Sequence, residues 1–425
     1  MNPALFVLAW RSLRNRAFIA GLTVATVGLA VALLLGVQRL QTETRQAFLR
    51  SVSGTDLIVG ARSHPVQLLL YSVFHLGDAT NNLGWDAYVD LADDPAVAWA
   101  VPVSLGDSHR GFRVVGTTVD YFRRLGFAGR QGLAFAQGEA FSADPRESVA
   151  QAVVGADVAE RLGYAPGSEI VLAHGTARVA LNQHDDHPFR VVGVLARTGT
   201  AADGGVYVSL AAIEAIHLNW RSGTRIGTAP DAATLPDAAL QPRAVTAVFV
   251  GLKSRLATFA LQRTLNEYPD EPLTAILPGV ALQQLWSMLG TVERAMEAAG
   301  AAVLAAALMV LLTTVLATLN ERRREMAILR AVGAGPWHVF GLLLMEAALL
   351  ALAGGALGLA IVEVGLRLAA PWLQARYGLH LGTSGDLGAG LQLLGWMVLA
   401  GLLLGLLPAT LAYRRSVQDG MTVTQ

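Results

Sequence analysis

The chain has 425 residues, 53% of them hydrophobic and only 15% charged, with 32 basic side chains balancing 32 acidic ones. An average soluble chain is about 45–50% apolar and about 25% charged, so the composition leans toward the membrane, and the missing basic excess argues against nucleic acid as a partner. The absence of cysteine excludes thiol catalysis, structural disulfides and cysteine-ligated zinc.

Residues 1–16 read as an amphipathic segment carrying Arg11, Arg14 and Arg16, followed by an apolar run over 17–37. That run matches the roughly 20 residues a helix needs to cross a bilayer. It exceeds the roughly 7–15 apolar residues of a secretion signal, and VQRLQTETRQ follows where a small-residue cleavage site would stand, so it is expected to stay as an anchor. The helical pattern continues through VQRLQTETRQAFLRSV, which predicts a stalk.

Residues 38–297 differ in character. Val-rich runs bounded by turn residues, TDLIVG, RGFRVVGT, QAVVGA, EIVLA, FRVVGVL, GVYVS and AVTAVFVGL, predict strands. ADVAERLG, SRLATFALQRTLNEYP and SLAAIEAIH predict helices, the last capped by Ser209. The expected fold is a large α+β domain, of one lobe or two, inserted between the first and second spans. Trp220 to Arg243 has no sustained period and reads as an exposed loop or lobe boundary.

Within this domain, His184, Asp185, Asp186 and His187 form the one dense cluster of metal-ligating residue types. Imidazoles and carboxylates suit zinc or similar ions, and His64, His75, His109, His174 and His217 belong to the same domain. A solvated acidic turn is the simpler alternative. No G-x-S-x-G nucleophile elbow occurs, so no hydrolase is expected.

ALQQLWSMLGTVERAMEAAG leads as a second stalk helix into the span 298–319. A charged segment, 320–338, separates it from the third span, 339–362; a loop, 363–389, precedes the fourth, 390–413, and a tail, 414–425. Glu346 lies about two turns into the third span, where an ionisable group must face protein or water. Helix contact is its expected role. Gly354 and Gly358 form a small-xxx-small face on the same span, as Gly401 and Gly405 do on the fourth, and such faces permit close packing. Glu363 and Arg367 are spaced to pair.

Arginines near spans stay in the cytoplasm. Arg11, Arg14 and Arg16, then Arg322, Arg323, Arg324 and Arg330, then Arg414 and Arg415, all fall on one side of a four-span chain. Both termini are therefore expected in the cytoplasm and the large domain outside it; Arg39, Arg45 and Arg50 oppose the rule. ATP hydrolysis by this chain is not expected, because a Walker A loop needs Gly-Lys before Ser or Thr and the sole lysine, Lys253, follows Leu252.

ERRREMAILRAVGAGPWHVF, Glu321 to Phe340, reads as a short helix from Glu321 to about Val332, stopped by Gly333 and Gly335, with Ala327, Ile328, Ala331 and Val332 on one apolar face. This stretch resembles the cytoplasmic signature of FtsX-like permeases in Glu325, Ile328, Leu329, Arg330, Ala331, Val332, Gly333 and Ala334, with Arg323 and Arg324 in the charged run before them. RVVGTTVDYFRRL, AVVGADVAERLG and FRVVGVLARTG are similar to the MacB-type periplasmic core domain. The resemblance implies a mechanotransmission ABC transporter subunit in a bacterial inner membrane, noncatalytic and without a cofactor of its own. ATP and magnesium would sit on a separate ABC ATPase that pushes on the coupling helix. It further implies a second permease copy as homodimer partner, contact with membrane lipid, and a periplasmic adaptor, substrate-binding protein or lipoprotein as a candidate third partner. The function implied is export, extraction or release of a substrate at the outer face of the membrane. An FtsX-like signalling scaffold and a metal-linked transport component stand as alternatives.

Overall fold

In the computed structural model the described residues are 3–51, 54–127, 131–174, 187–218, 220–221, 224–225, 236–321, 333–377 and 387–421. They fall into two units: Met1–Glu43, Gly290–Pro371 and Leu381–Gln425 in one, Thr44–Leu289 and Trp372–His380 in the other.

The second unit is built on an eleven-stranded sheet. Nine strands form its main path: β1 Leu57–Ala61, β2 Val97–His109, β3 Phe112–Thr117, β4 Phe135–Gly138, β5 Gln151–Val154, β6 Phe189–Leu195, β7 Gly205–Ser209, β8 Ala247–Leu252 and β9 Leu273–Ile276. Their spatial order is β9-β1-β8-β2-β3-β7-β5-β6-β4. Pairing is mostly antiparallel, but β3 with β7 and β5 with β6 run parallel.

Alternate side chains of a strand point to opposite faces, and here both faces are covered. Ile58, Val115, Val153 and Tyr207 enter one core that crosses the sheet, with the aromatic rings of Tyr121, Phe122 and Phe141. Their strand neighbours Leu57 and Val59 enter a second core on the other face, while Val114, Val154 and Val206 enter a third. That double burial explains runs such as LIVGA and GVYVS, in which every residue is buried.

Short helices cover the sheet: α1 Pro65–Phe74, α2 Trp85–Ala92, α3 Asp120–Arg124, α4 Pro145–Ser148, α5 Ala156–Leu162, α6 Leu210–His217 and α7 Thr258–Asn266. Ser209 caps α6, its hydroxyl accepting from Ala212 N at 3.0 Å, as the sequence predicts. α5 ends at Gly163, whose φ of 72° requires a residue tolerant of the left-handed region. Seven of these elements escape the sequence reading: β2, β4, β9, α1, α2, α3 and α4. The stretch EIVLA yields a two-residue strand, Glu169–Ile170, and the first residue of another, Ala173–His174. Of Trp220 to Arg243, a short hairpin pairs Trp220 and Arg221 with Arg225 and Thr224, and Asp237–Ala239 forms a 3-10 turn.

Among the described residues, four helices are long and apolar enough to cross a membrane, with membrane-length segments Ala17–Arg45, Pro278–Ala317, Pro336–Trp372 and Gly390–Tyr413. The helices themselves run from Ala17 to Ser51, Pro278 to Glu321, Pro336 to Tyr377 and Leu387 to Met421. A separate helix, Pro3–Asn15, precedes the first. The third helix continues past Val362 through residues the sequence reading assigned to a loop. Glu363 and Arg367 end the apolar run there, but charge marks a bilayer boundary and leaves backbone hydrogen bonding intact.

Candidate functional site

Of the coupling residues, Arg323, Arg324, Glu325, Ile328, Leu329, Arg330, Ala331 and Val332 lie outside the described residues; Gly333 and Ala334 lie within them. Gly333 is exposed and has φ of 99°, a conformation that glycine adopts without steric cost. Two residues on, Gly335 O accepts from His338 N at 3.0 Å, and Pro336 opens the third span helix. Proline suits a first helical position because its missing N–H would be unpaired there anyway. The next residue, Trp337, packs on Phe340 at 5.5 Å and on Tyr413 of the fourth helix at 5.2 Å between ring centroids. The start of the third span is thereby tied to the end of the fourth, a contact that sequence spacing does not reveal.

Deeper in the same unit, glycines set the helix spacing. A Cβ on Gly354 would stand 2.5 Å from Val27 Cγ1, and one on Gly358 would stand 2.6 Å from Val31 Cγ1 and 2.8 Å from the Gly28 carbonyl oxygen. The first and third helices therefore touch backbone to backbone. On the fourth helix, a Cβ on Gly401 would meet Ala351 Cβ at 2.7 Å, and one on Gly405 would meet Ala347 Cβ at 3.0 Å. Small residues thus bring two neighbours against the third helix.

Glu346 is 4% exposed. It lines a cavity of about 30 Å³ with Ser12, Arg16, Thr314 and Leu350 among others. A carboxylate and a guanidinium thus meet one water-sized space bordered by the helix Pro3–Asn15 and the first three span helices, the kind of polar partnership an ionisable group needs among apolar neighbours. Thr23 Oγ1 lies 3.3 Å from Thr314 Oγ1 beside it. Toward the other end of these helices, Glu363 is 3.8 Å from Arg367 and 3.6 Å from Arg39, which also approaches Glu43 at 3.8 Å. Arg39 opposes the charge rule in sequence, yet acidic groups of two helices surround it.

Of the metal candidates, His184, Asp185 and Asp186 lie outside the described residues, and His187 is half-buried. Among the described residues no group of three His, Asp or Glu side chains is placed to hold an ion. The other histidines have separate partners. His109 Nδ1 is 2.7 Å from Val171 O and Nε2 is 2.9 Å from Tyr164 Oη, and burial lowers its pKa. His75, at the C-terminal cap of α1, is lowered to about 4 by burial and by Arg113. His217 Nε2 lies 3.7 Å from buried Asp107; burial lowers its pKa, but hydrogen bonding and charge attraction from Asp107 outweigh that and raise it.

Two family models match in chain order: the MacB-like periplasmic core domain over residues 20–267 and the FtsX-like permease C-terminal model over residues 298–419. The first alone takes in more than half of the chain. The chain is an FtsX/MacB-type permease of the ABC transporter class. Similar solved structures include the periplasmic region of MacB from Actinobacillus actinomycetemcomitans, 14% identical, covering 56% of this chain and 98% of that one, with a TM-score of 0.33. Another is the extracellular domain of the noncanonic ABC-type transporter YknZ from Gram-positive bacteria, 13% identical, covering 52% and 99%, with a TM-score of 0.31. No curated protein matches. In this FtsX/MacB-type permease, Gly333, Glu346, Gly354 and Gly358 all fall in the FtsX-like segment.

Proposed function

We propose that the chain is the permease subunit of an ABC transporter whose ATP is hydrolysed by a separate ATPase subunit, and that it converts that hydrolysis into movement of its large α+β domain. The domain faces the periplasm, both termini face the cytoplasm, and the membrane is the bacterial inner membrane. The movement drives export, extraction or release of a substrate at the outer face.

The observation that carries this reading is helix length. The second span helix has 44 residues and the third 42, which at 1.5 Å per residue is about 65 Å each. A bilayer core of about 30 Å uses less than half of that. The remainder suits a lever more than an anchor. The sole lysine, Lys253, directly follows strand β8 in VGLKS, and no phosphate-binding loop precedes it, which supports placing ATP on a separate subunit. The segment from Arg323 to Ala334 is the proposed point of entry, with ATP and magnesium on the partner.

A second copy of the chain completes the assembly. Val292, Met296, Ala299, Val303, Ala306 and Val310 are all exposed on the second span helix. They recur at alternating four- and three-residue steps, the repeat by which helices interlock along a seam. Co-purification from native membranes in a mild detergent tests the proposal: an ABC ATPase should accompany the chain stoichiometrically. A chain that purifies free of any ATPase under conditions that preserve the dimer contradicts it.

A further inference from the structure

A cavity of about 480 Å³ opens within the α+β unit where β3 and β7 end. These strands are parallel neighbours, and their last residues, Thr117 and Ser209, stand opposite each other in register. Parallel strands deliver their following segments to the same edge of the sheet, here α3 and α6, and the crevice outside such carboxyl ends is where open sheets accept ligands. The volume is within the range of about 300–1,000 Å³ of small-molecule sites.

The lining divides by chemistry. Phe141, Leu210 and Leu240 are buried and supply an apolar floor, and half-buried Trp85 adds an aromatic ring to the lining. Trp85 is fixed there by its backbone N–H, which donates to Arg243 O at 3.0 Å, and by Tyr88, whose ring centroid is 4.5 Å away. Thr118 and Gln241 add a hydroxyl and an amide. At the rim are Asp120 and Arg123, whose side chains are 54% and 72% exposed and only 4.0 Å apart at their closest. An ion pair so exposed and so long holds itself together weakly, and each member is free to turn to a ligand of opposite charge.

We propose that this cleft binds a small zwitterionic amphiphile, its apolar tail on Phe141, Leu240 and Trp85 and its two charges shared between Arg123 and Asp120. An apolar floor with one cation and one anion at its mouth matches such a molecule better than a purely anionic or cationic one. The site needs neither ATP nor a partner subunit, so its occupancy and the coupling role fail independently.

The lack of cysteine in the chain permits a direct test. Full-length Ala143→Cys protein in lipid nanodiscs places one thiol at the cleft, and Leu256→Cys places one on an exposed residue that does not line it. Alkylation by a charged, water-soluble maleimide is timed with octyl sulfobetaine, octanoate or octyltrimethylammonium, all below their micelle concentrations. Octyl sulfobetaine is expected to slow modification at residue 143 saturably, at lower concentration than the other two, and to leave residue 256 unaffected. Arg123→Gln, an exposed change that spares the core, should weaken that protection about five-fold, the order of one exposed charge contact. No protection by any probe, equal protection by all three, equal slowing at residue 256, or protection untouched by Arg123→Gln would each overturn the assignment.

Discussion

Close backbone contact between the first and third helices makes Gly358 a demanding position in the membrane unit. An alanine there would place Cβ 2.6 Å from Val31 Cγ1 and 2.8 Å from Gly28 O, whereas carbon contacts are most favourable at about 3.5–4.0 Å. The valine side chain has some freedom to turn; the carbonyl belongs to a helix and has none. The helices must therefore separate by roughly 1 Å, and overpacking of this kind costs about 1–3 kcal/mol. Glycine to alanine also raises helix propensity by about 1 kcal/mol, so a control must cancel that gain. Gly395, in the fourth helix, has nothing within 4 Å of its would-be Cβ. Unfolding of Gly358→Ala and Gly395→Ala by denaturing detergent in mixed micelles, followed by circular dichroism, should differ by about 1–3 kcal/mol, with Gly358→Ala the less stable. Adding Val31→Ala should recover only part of the loss, since Gly28 O stays. If Gly358→Ala is as stable as Gly395→Ala, the packing argument is wrong.

The other predictions concern charge. Glu346→Ala removes the carboxylate from the cavity that Arg16 also lines, and a loss of about 1–3 kcal/mol is expected in the same assay; Arg16→Met in the same chain should restore part of it. Acid titration should find His75 and His217 acting in opposite directions. His75 is held at about 4, below its usual 6.5, so the unfolded chain takes up a proton first and stability falls as pH drops from about 6.5 toward 4. The loss is on the order of 1–3 kcal/mol, and His75→Gln should remove it, read as a flatter acid limb of the unfolding curve. His217 has a raised pKa, so its contribution is full below the unfolded value and disappears as pH rises through the folded one; His217→Gln should flatten that side of the profile.

Some of this architecture was legible because local and tertiary requirements agree. GVYVS is apolar throughout, and a strand buried on both faces needs that. Ser209 announces α6 because a capping hydroxyl acts within three residues of itself. β2 was illegible for the opposite reason: Pro102, a residue disfavoured inside strands, lies within it, the pairing register with β3 shifts between Leu105 and Ser108, and its buried polar end, Asp107, Ser108 and His109, is made tolerable by distant groups such as Tyr164 and His217. α1 begins at His64, whose ring accepts from Val66 N in place of a customary hydroxyl or carboxylate cap. In the membrane unit, hydropathy marks the spans, and glycine spacing points to close faces without naming the helix they meet. The placing of Arg39 beside Glu363 and of Arg16 beside the Glu346 cavity joins residues more than 300 positions apart, which no local pattern encodes. The coupling segment is assigned from the apolar face of Ala327, Ile328, Ala331 and Val332 and from its resemblance to FtsX-like permeases, and residues 322–332 lie outside the described residues.

That segment is where the account is most exposed to contradiction. The chain and its co-purified ATPase, reconstituted together in nanodiscs, should hydrolyse ATP faster than the ATPase alone. Arg330→Glu and Gly333→Pro should each abolish the stimulation while the chain still inserts and dimerises, the second because proline cannot adopt the positive φ of 99° at Gly333. Full stimulation in both variants would contradict the claim that energy enters the permease there.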